Sequence, residues 1–143
     1  MATINPYLNF NGNTEDAFNF YKSVFGGEFL VLQRFKDMPE TANVPPADQN
    51  KVMHVALPIG KGNILMATDA LESTGHTITV GTNFSIAISP ENEAEAKYLF
   101  NGLSAGGQVT VPFDKAPWGA YFGMLTDKFG IQWMVNYDEN PKR

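Results

Sequence analysis

Phe20-Tyr21-Lys22-Ser23-Val24-Phe25-Gly26-Gly27 decides how this chain is read, because its pattern returns in the second half: Leu99-Phe100 stands 79 residues after Phe20-Tyr21, and Gly106-Gly107 stands 80 after Gly26-Gly27. The first copy reads as the end of a helix. Asn13 or Thr14 caps it, Glu15 and Asp16 suit its first turn, and Ala17, Phe20, Tyr21 and Val24 share one face at helical spacing. The glycine pair stops it. Upstream, residues 3–10 are short and rich in β-branched and aromatic types and end at Asn11-Gly12-Asn13, as a strand entering a turn does. Downstream, strands are expected over 28–35, 51–58 and 63–68, the last two joined by Ile59-Gly60-Lys61-Gly62. Between the first two lies a loop or flap over 36–50 with Pro39, Pro45 and Pro46.

The second half repeats this order. A strand over 82–89 leads to Ser89-Pro90-Glu91, read as a capped helix start with proline at its first position, and Ala96, Leu99, Phe100 and Leu103 form the apolar stripe. Strands over 108–113, 121–126 and 131–137 follow, with Asp127-Lys128-Phe129-Gly130 as the last turn. Met66 and Met134, 68 residues apart, continue the correspondence. The pattern predicts an α+β domain covering residues 1–143, built from two βαβββ modules over about 1–70 and 80–138. A generic α+β sandwich is the competing architecture. One module alone leaves a sheet face uncovered, so a second module or a second subunit is expected to cover it.

Composition narrows the function classes. A chain of 143 residues with 43% hydrophobic and 13% aromatic content fills one core. Ten Lys and Arg against fifteen Asp and Glu leave a net charge of −5 with no basic cluster, which argues against a nucleic-acid partner. Without cysteine there is no disulfide frame, thiolate metal site or cysteine nucleophile. Met1-Ala2-Thr3-Ile4-Asn5-Pro6 lacks a basic or apolar leader and no apolar run is long enough to span a bilayer, so a soluble, cytoplasmic protein without membrane partners is expected.

Five stretches, in order, resemble a PhnB-like protein of the vicinal-oxygen-chelate superfamily, which includes glyoxalase I, bleomycin-binding proteins, fosfomycin-modifying enzymes and extradiol dioxygenases. They are the opening Asn5-Pro6-Tyr7-Leu8-Asn9-Phe10-Asn11-Gly12-Asn13, the helix end quoted above, Met53-His54-Val55-Ala56-Leu57, Gly62-Asn63-Ile64-Leu65-Met66-Ala67-Thr68-Asp69, and Thr126-Asp127-Lys128-Phe129-Gly130-Ile131-Gln132-Trp133-Met134. The resemblance implies paired βαβββ modules forming a curved mixed sheet, usually in a homodimer with a pocket on each side. It does not by itself imply an activity. Some relatives carry the label of a ubiquinone-pathway methyltransferase, but the sequence shows no glycine-rich nucleotide loop or acidic ribose partner.

The resemblance also implies where a metal would sit. Members that use one draw His, Glu or Gln from the first and fourth strands of each module, and the corresponding positions here are Pro6, Met66, Ser85 and Met134. Proline has no donor atom, a neutral serine is a poor one, and thioethers suit soft Cu(I) rather than Zn(II), Ni(II), Mn(II) or Fe(II). The expectation is therefore no metal and no other cofactor, with a divalent metal as the alternative.

His54 is the candidate catalytic residue, as general base, general acid or single ligand, although one His on an apolar strand more commonly serves as a hydrogen-bonded core residue. Its counterpart in the second module is Phe122. His76 reads as a solvated linker residue, and Asp69, Asp127 and Asp138 as carboxylates finishing turns. Gln33 and Arg34 must point to opposite faces of their strand. Trp118, Tyr121, Phe122 and Trp133 read mainly as core, with an aromatic wall as the alternative. The leading functional expectation is a homodimer that binds a small, partly apolar organic molecule through Met66, Ser85, Trp118, Phe122 and Met134, with His54 as polar contact. The alternative is a divergent metal-dependent lyase, isomerase or dioxygenase.

Overall fold

The computed structural model describes residues 2–38 and 44–139, so Pro39 of the proline-rich loop lies outside the described residues. The chain divides into two units, Met1–Thr79 and Val80–Arg143. The first unit runs β1 (Tyr7–Phe10), α1 (Thr14–Phe25), β2 (Val31–Arg34), β3 (Val52–Pro58) and β4 (Ile64–Asp69). Its four strands lie in the order β1-β4-β3-β2, with β1 parallel to β4 and the other pairs antiparallel. Strand alternation sorts the side chains: Leu8, Phe10, Leu65 and Ala67 are buried, while Tyr7, Asn9, Met66 and Thr68 take the other face.

Helix α1 packs on β3 and β4 through Ala17, Phe18, Tyr21 and Val24. Phe18 holds the place expected for Phe20, which is only half-buried. Both phenylalanines fit the helical spacing, and the sheet decides between them: Phe10 of β1 meets Phe18 edge-on at 6.5 Å, and Phe18 meets Tyr21 edge-on at 5.4 Å. Arg34 clamps the helix to the sheet through a bidentate pair with Glu15, at 3.0 and 2.7 Å, while also donating to the Asn50 carbonyl at 2.8 Å.

The expected flap over 36–50 is tied down at its second end. A short turn at Pro46–Asp48 buries Asp48, whose carboxylate accepts from Ser73 Oγ at 2.7 Å and pairs with Lys51 Nζ at 2.8 Å. Beyond β2, Phe35 N donates to Lys51 O and Lys36 N to Gln49 O, prolonging the contact between the flanks of the loop.

The second unit runs β5 (Ile86–Ile88), α2 (Glu93–Ser104), β6 (Gln108–Lys115), β7 (Tyr121–Thr126) and β8 (Gln132–Tyr137). Its order, β5-β8-β7-β6, with β5 parallel to β8, reproduces the topology of the first unit strand for strand. Ala96, Leu99, Phe100 and Leu103 are buried as the spacing predicts. The helix starts later than Ser89-Pro90 implies. Asn92 Oδ1 accepts from Glu95 N at 2.8 Å and Glu95 Oε1 accepts from Glu91 N at 2.9 Å, so Asn92 is the cap and Pro90 belongs to the approach.

The two glycine pairs end their helices for different reasons. Gly26 and Gly27 both have φ 82° and open space around them, whereas a Cβ on Gly107 would run into the Thr126 carbonyl oxygen and lie 2.9 Å from the Asp127 backbone. Gly107→Ala should therefore lose about 2–3 kcal/mol by overpacking. Gly26→Ala meets only the backbone penalty of about 1–2 kcal/mol. Chemical denaturation of both variants checks this, and a loss below about 1 kcal/mol for Gly107→Ala would mean the β6 start is not held against Thr126.

Acid should loosen the first unit. Hydrogen bonding to Arg34 holds the Glu15 carboxyl below its ordinary value, and hydrogen bonds from Lys51 and Ser73 do the same for Asp48. A depressed folded-state pKa contributes stability that is fully present above the ordinary carboxylate range and is lost as pH falls through the depressed value, here below about pH 4. Melting curves between pH 6 and 3 should fall less steeply for Glu15→Gln than for the unmodified chain, and an unchanged slope would remove Glu15 from the acid transition.

Candidate functional site

Each sheet has a face turned away from its helix, and the register fixes which residues share it. In the first unit, Tyr7 pairs with Met66, Met66 with Ala56, and Ala56 with Val31, forming one row across all four strands. The next row begins with Asn9 opposite Thr68 and ends with His54 opposite Gln33; continuing the β3–β4 register by one residue sets Thr68 beside His54. Gln33 thus joins His54, while Arg34 turns to Glu15.

His54 is half-buried and stacks on Tyr7 with ring centroids 5.9 Å apart and planes 20° from parallel. Tyr7 Oη lies 3.5 Å from His54 Nδ1. Burial holds the Tyr7 phenol above its ordinary value, with a hydrogen bond to Thr68 opposing, so it remains a protonated donor at neutral pH. Tyr7, Asn9 and Thr68 are the residues that sequence reasoning missed. Their signal was the exposed–buried alternation of β1 and β4, which reads as ordinary strand patterning until the register is known.

In the second unit the corresponding rows are Ala87, Met134, Met124 and Val111, then Asn136, Phe122 and Asp114. Phe122 therefore occupies the register position of His54. Trp118 stands on the turn between β6 and β7, is 57% exposed, and meets Phe122 at 5.6 Å and 67°. Ser85 is half-buried, immediately before β5. Of the residues expected to act together, His54 and Met66 belong to the first unit, and Ser85, Trp118, Phe122 and Met134 to the second. Trp133 is fully buried on the helix side, as core.

The residues at the superfamily's ligand positions do not fit a hard divalent ion. Met66 and Met134 present thioethers, and their first-strand neighbours in register are Tyr7 and Ala87 rather than Pro6 and Ser85. Among the described residues no three His, Asp or Glu side chains gather in a metal-binding group. Asp69 and Asp127, buried and acidic, are committed to backbone and indole donors: Asp69 accepts from Thr14 N and Val52 N, and Asp127 from Phe129 N, Ile131 N and Trp133 Nε1. His76 is exposed.

A sequence profile of the 3-demethylubiquinone-9 3-methyltransferase family matches residues 2–136. The chain belongs to that family. Within this PhnB-like group it is 31% identical to Protein YjdN of Escherichia coli K12 over 141 residues, 93% of each chain. Among solved structures it is similar to protein PA1353 from Pseudomonas aeruginosa, with 38% identity, a TM-score of 0.84 and coverage of 96% of this chain and 98% of that one. The PhnB protein from Bacillus cereus matches with 27% identity and a TM-score of 0.76 over 95% of this chain and 99% of its own. A glyoxalase-related enzyme from Fulvimarina pelagi, at 19% identity and a TM-score of 0.63 over 96% of this chain and 89% of its own, shares the fold. Among the described residues no helix is long and apolar enough to cross a membrane.

Proposed function

We propose that this PhnB-like chain binds a small organic molecule on the sheet face opposite its helix and does so without the superfamily's metal. The observation that carries this reading is the composition of those faces. They combine thioethers (Met66, Met134) at the superfamily's ligand positions with aromatic rings (Tyr7, Phe122) and the polar side chains of Asn9, Thr68, Gln33, Asn136 and Asp114. Soft, adaptable side chains of this kind suit apolar ligand surface. In this reading His54 is the polar contact, and the protein works in the cytoplasm as a homodimer. Exposed Leu30, Val80, Phe84 and Trp118 support association, since isolated apolar side chains of this size gain from burial.

Methyl transfer of the kind in the family's description needs a place for a nucleotide-type cofactor, and among the described residues the turn into α1 does not fit one. The β1–α1 turn is Asn11-Gly12-Asn13 rather than a glycine-rich phosphate loop, and the α1 N-terminus is already occupied by the Asp69 carboxylate.

Native mass spectrometry of untagged protein prepared without chelators tests the reading. A dimer that stays metal-free when offered Zn(II), Ni(II), Mn(II) and Fe(II) is expected. One stoichiometric divalent ion per subunit would sink it and make metal-dependent lyase or dioxygenase chemistry the leading account. His54→Ala should weaken ligand binding, and any turnover that depends on the imidazole should vanish with it; unchanged binding and activity would remove His54 from the site.

A further inference from the structure

The polar row of the first unit has a composition that the sheet alone does not require. Asn9, Thr68, His54 and Gln33 cross four adjacent strands, a span of about 14 Å at ordinary strand spacing. Neither this row nor its neighbour, Tyr7, Met66, Ala56 and Val31, contains Lys, Arg, Asp or Glu. The nearest charged side chains of the same strands are taken up elsewhere: Arg34 by Glu15 and the Asn50 carbonyl, Asp69 by the amides of Thr14 and Val52. The near-parallel Tyr7 and His54 rings add a flat surface beside these donors and acceptors.

We infer that the row Asn9–Thr68–His54–Gln33 is a recognition site for an uncharged, planar molecule bearing an amide or carbonyl group, a proposal that rests on the binding reading above. Two side-chain amides offer both donors and acceptors, matching the two-sided hydrogen bonding of a carboxamide. Apart from the His54 imidazole, an ionised ligand would meet no counter-charge on these two rows. The protonated phenol of Tyr7 adds a donor for a carbonyl oxygen. The second unit differs at the same register. Asp114 stands where Gln33 does and Phe122 where His54 does, so this row belongs to the first unit alone.

The test uses nicotinamide and nicotinate, two planar rings of the same size that differ in charge, titrated into the isotope-labelled full chain at pH 7 and followed by NMR. Nicotinamide should shift the side-chain amide signals of Asn9 and Gln33 and the ring signals of His54, with nicotinate at least about tenfold weaker. His54→Phe should cut nicotinamide affinity by about fivefold or more while leaving the melting temperature in place, because the second unit already accommodates Phe122 at that register. Equal or tighter nicotinate binding overturns the inference. So does silence of all three residues towards both probes at millimolar concentration. Shifts confined to Phe122 and Met134 also overturn it but leave the wider binding reading standing, whereas stoichiometric metal uptake in the mass-spectrometry experiment removes that wider reading.

Discussion

Asp127→Ala should destabilise the second unit by about 3–5 kcal/mol, more than the Gly107→Ala change in the same unit. One carboxylate serves three donors. Its Oδ1 accepts from Phe129 N at 2.8 Å and Ile131 N at 3.1 Å, closing the turn into β8, and its Oδ2 accepts from Trp133 Nε1 at 2.8 Å. Trp133 is fully buried and Asp127 nearly so, which means alanine takes the carboxylate acceptor away from a buried indole N–H. Asp127→Asn should fall between the two, since an amide keeps one acceptor oxygen and turns an NH2 group toward a donor. Urea denaturation monitored by tryptophan fluorescence in a Trp118→Phe background reports on Trp133. A loss under about 1 kcal/mol for the alanine variant would mean that the turn holds its shape without the carboxylate.

Asp69→Ala should cost about 3–4 kcal/mol and act on the first unit. The residue ends β4, and its buried carboxylate caps α1 through Thr14 N at 3.0 Å while holding the start of β3 through Val52 N at 2.8 Å. It replaces the local cap: Asn13 makes no side-chain hydrogen bond to the helix. Asn13→Ala should therefore be nearly silent, whereas an ordinary N-cap loses about 1 kcal/mol on the same change. Hydrogen exchange of the Thr14 and Val52 amides separates the outcomes. Both should exchange faster in Asp69→Ala, and protection retained at both would show that the carboxylate does not hold these elements together.

The candidate site was only half legible in the chain. His54 stood out because an imidazole is conspicuous on an apolar strand, Phe122 followed as its counterpart in the duplication, and Met66 and Met134 came from the ligand positions that the resemblance implies. Their partners did not. Tyr7 and Asn9 lie more than forty residues from His54 in sequence and reach its face only because β1 pairs in parallel with β4, which pairs with β3. Nothing local to residues 7 and 9 carries that register. Likewise, Gln33 and Arg34 were known to diverge, but which one joined His54 depended on Glu15 lying within reach on α1.

What the amino-acid sequence determined by itself was the order of elements and the repeat, since glycine stops, strand alternation and helical spacing act within a few residues and survive without any knowledge of the fold. Strands β7 and β8 fall within one residue of their expected bounds for that reason. What only the tertiary structure decided were choices that compare distant segments: Phe18 over Phe20 on the α1 stripe, Asp69 over Asn13 as the helix cap, and the row Asn9–Thr68–His54–Gln33 that crosses four strands. In each case local propensity allowed two answers of similar energy, and burial against a partner far along the chain favoured one.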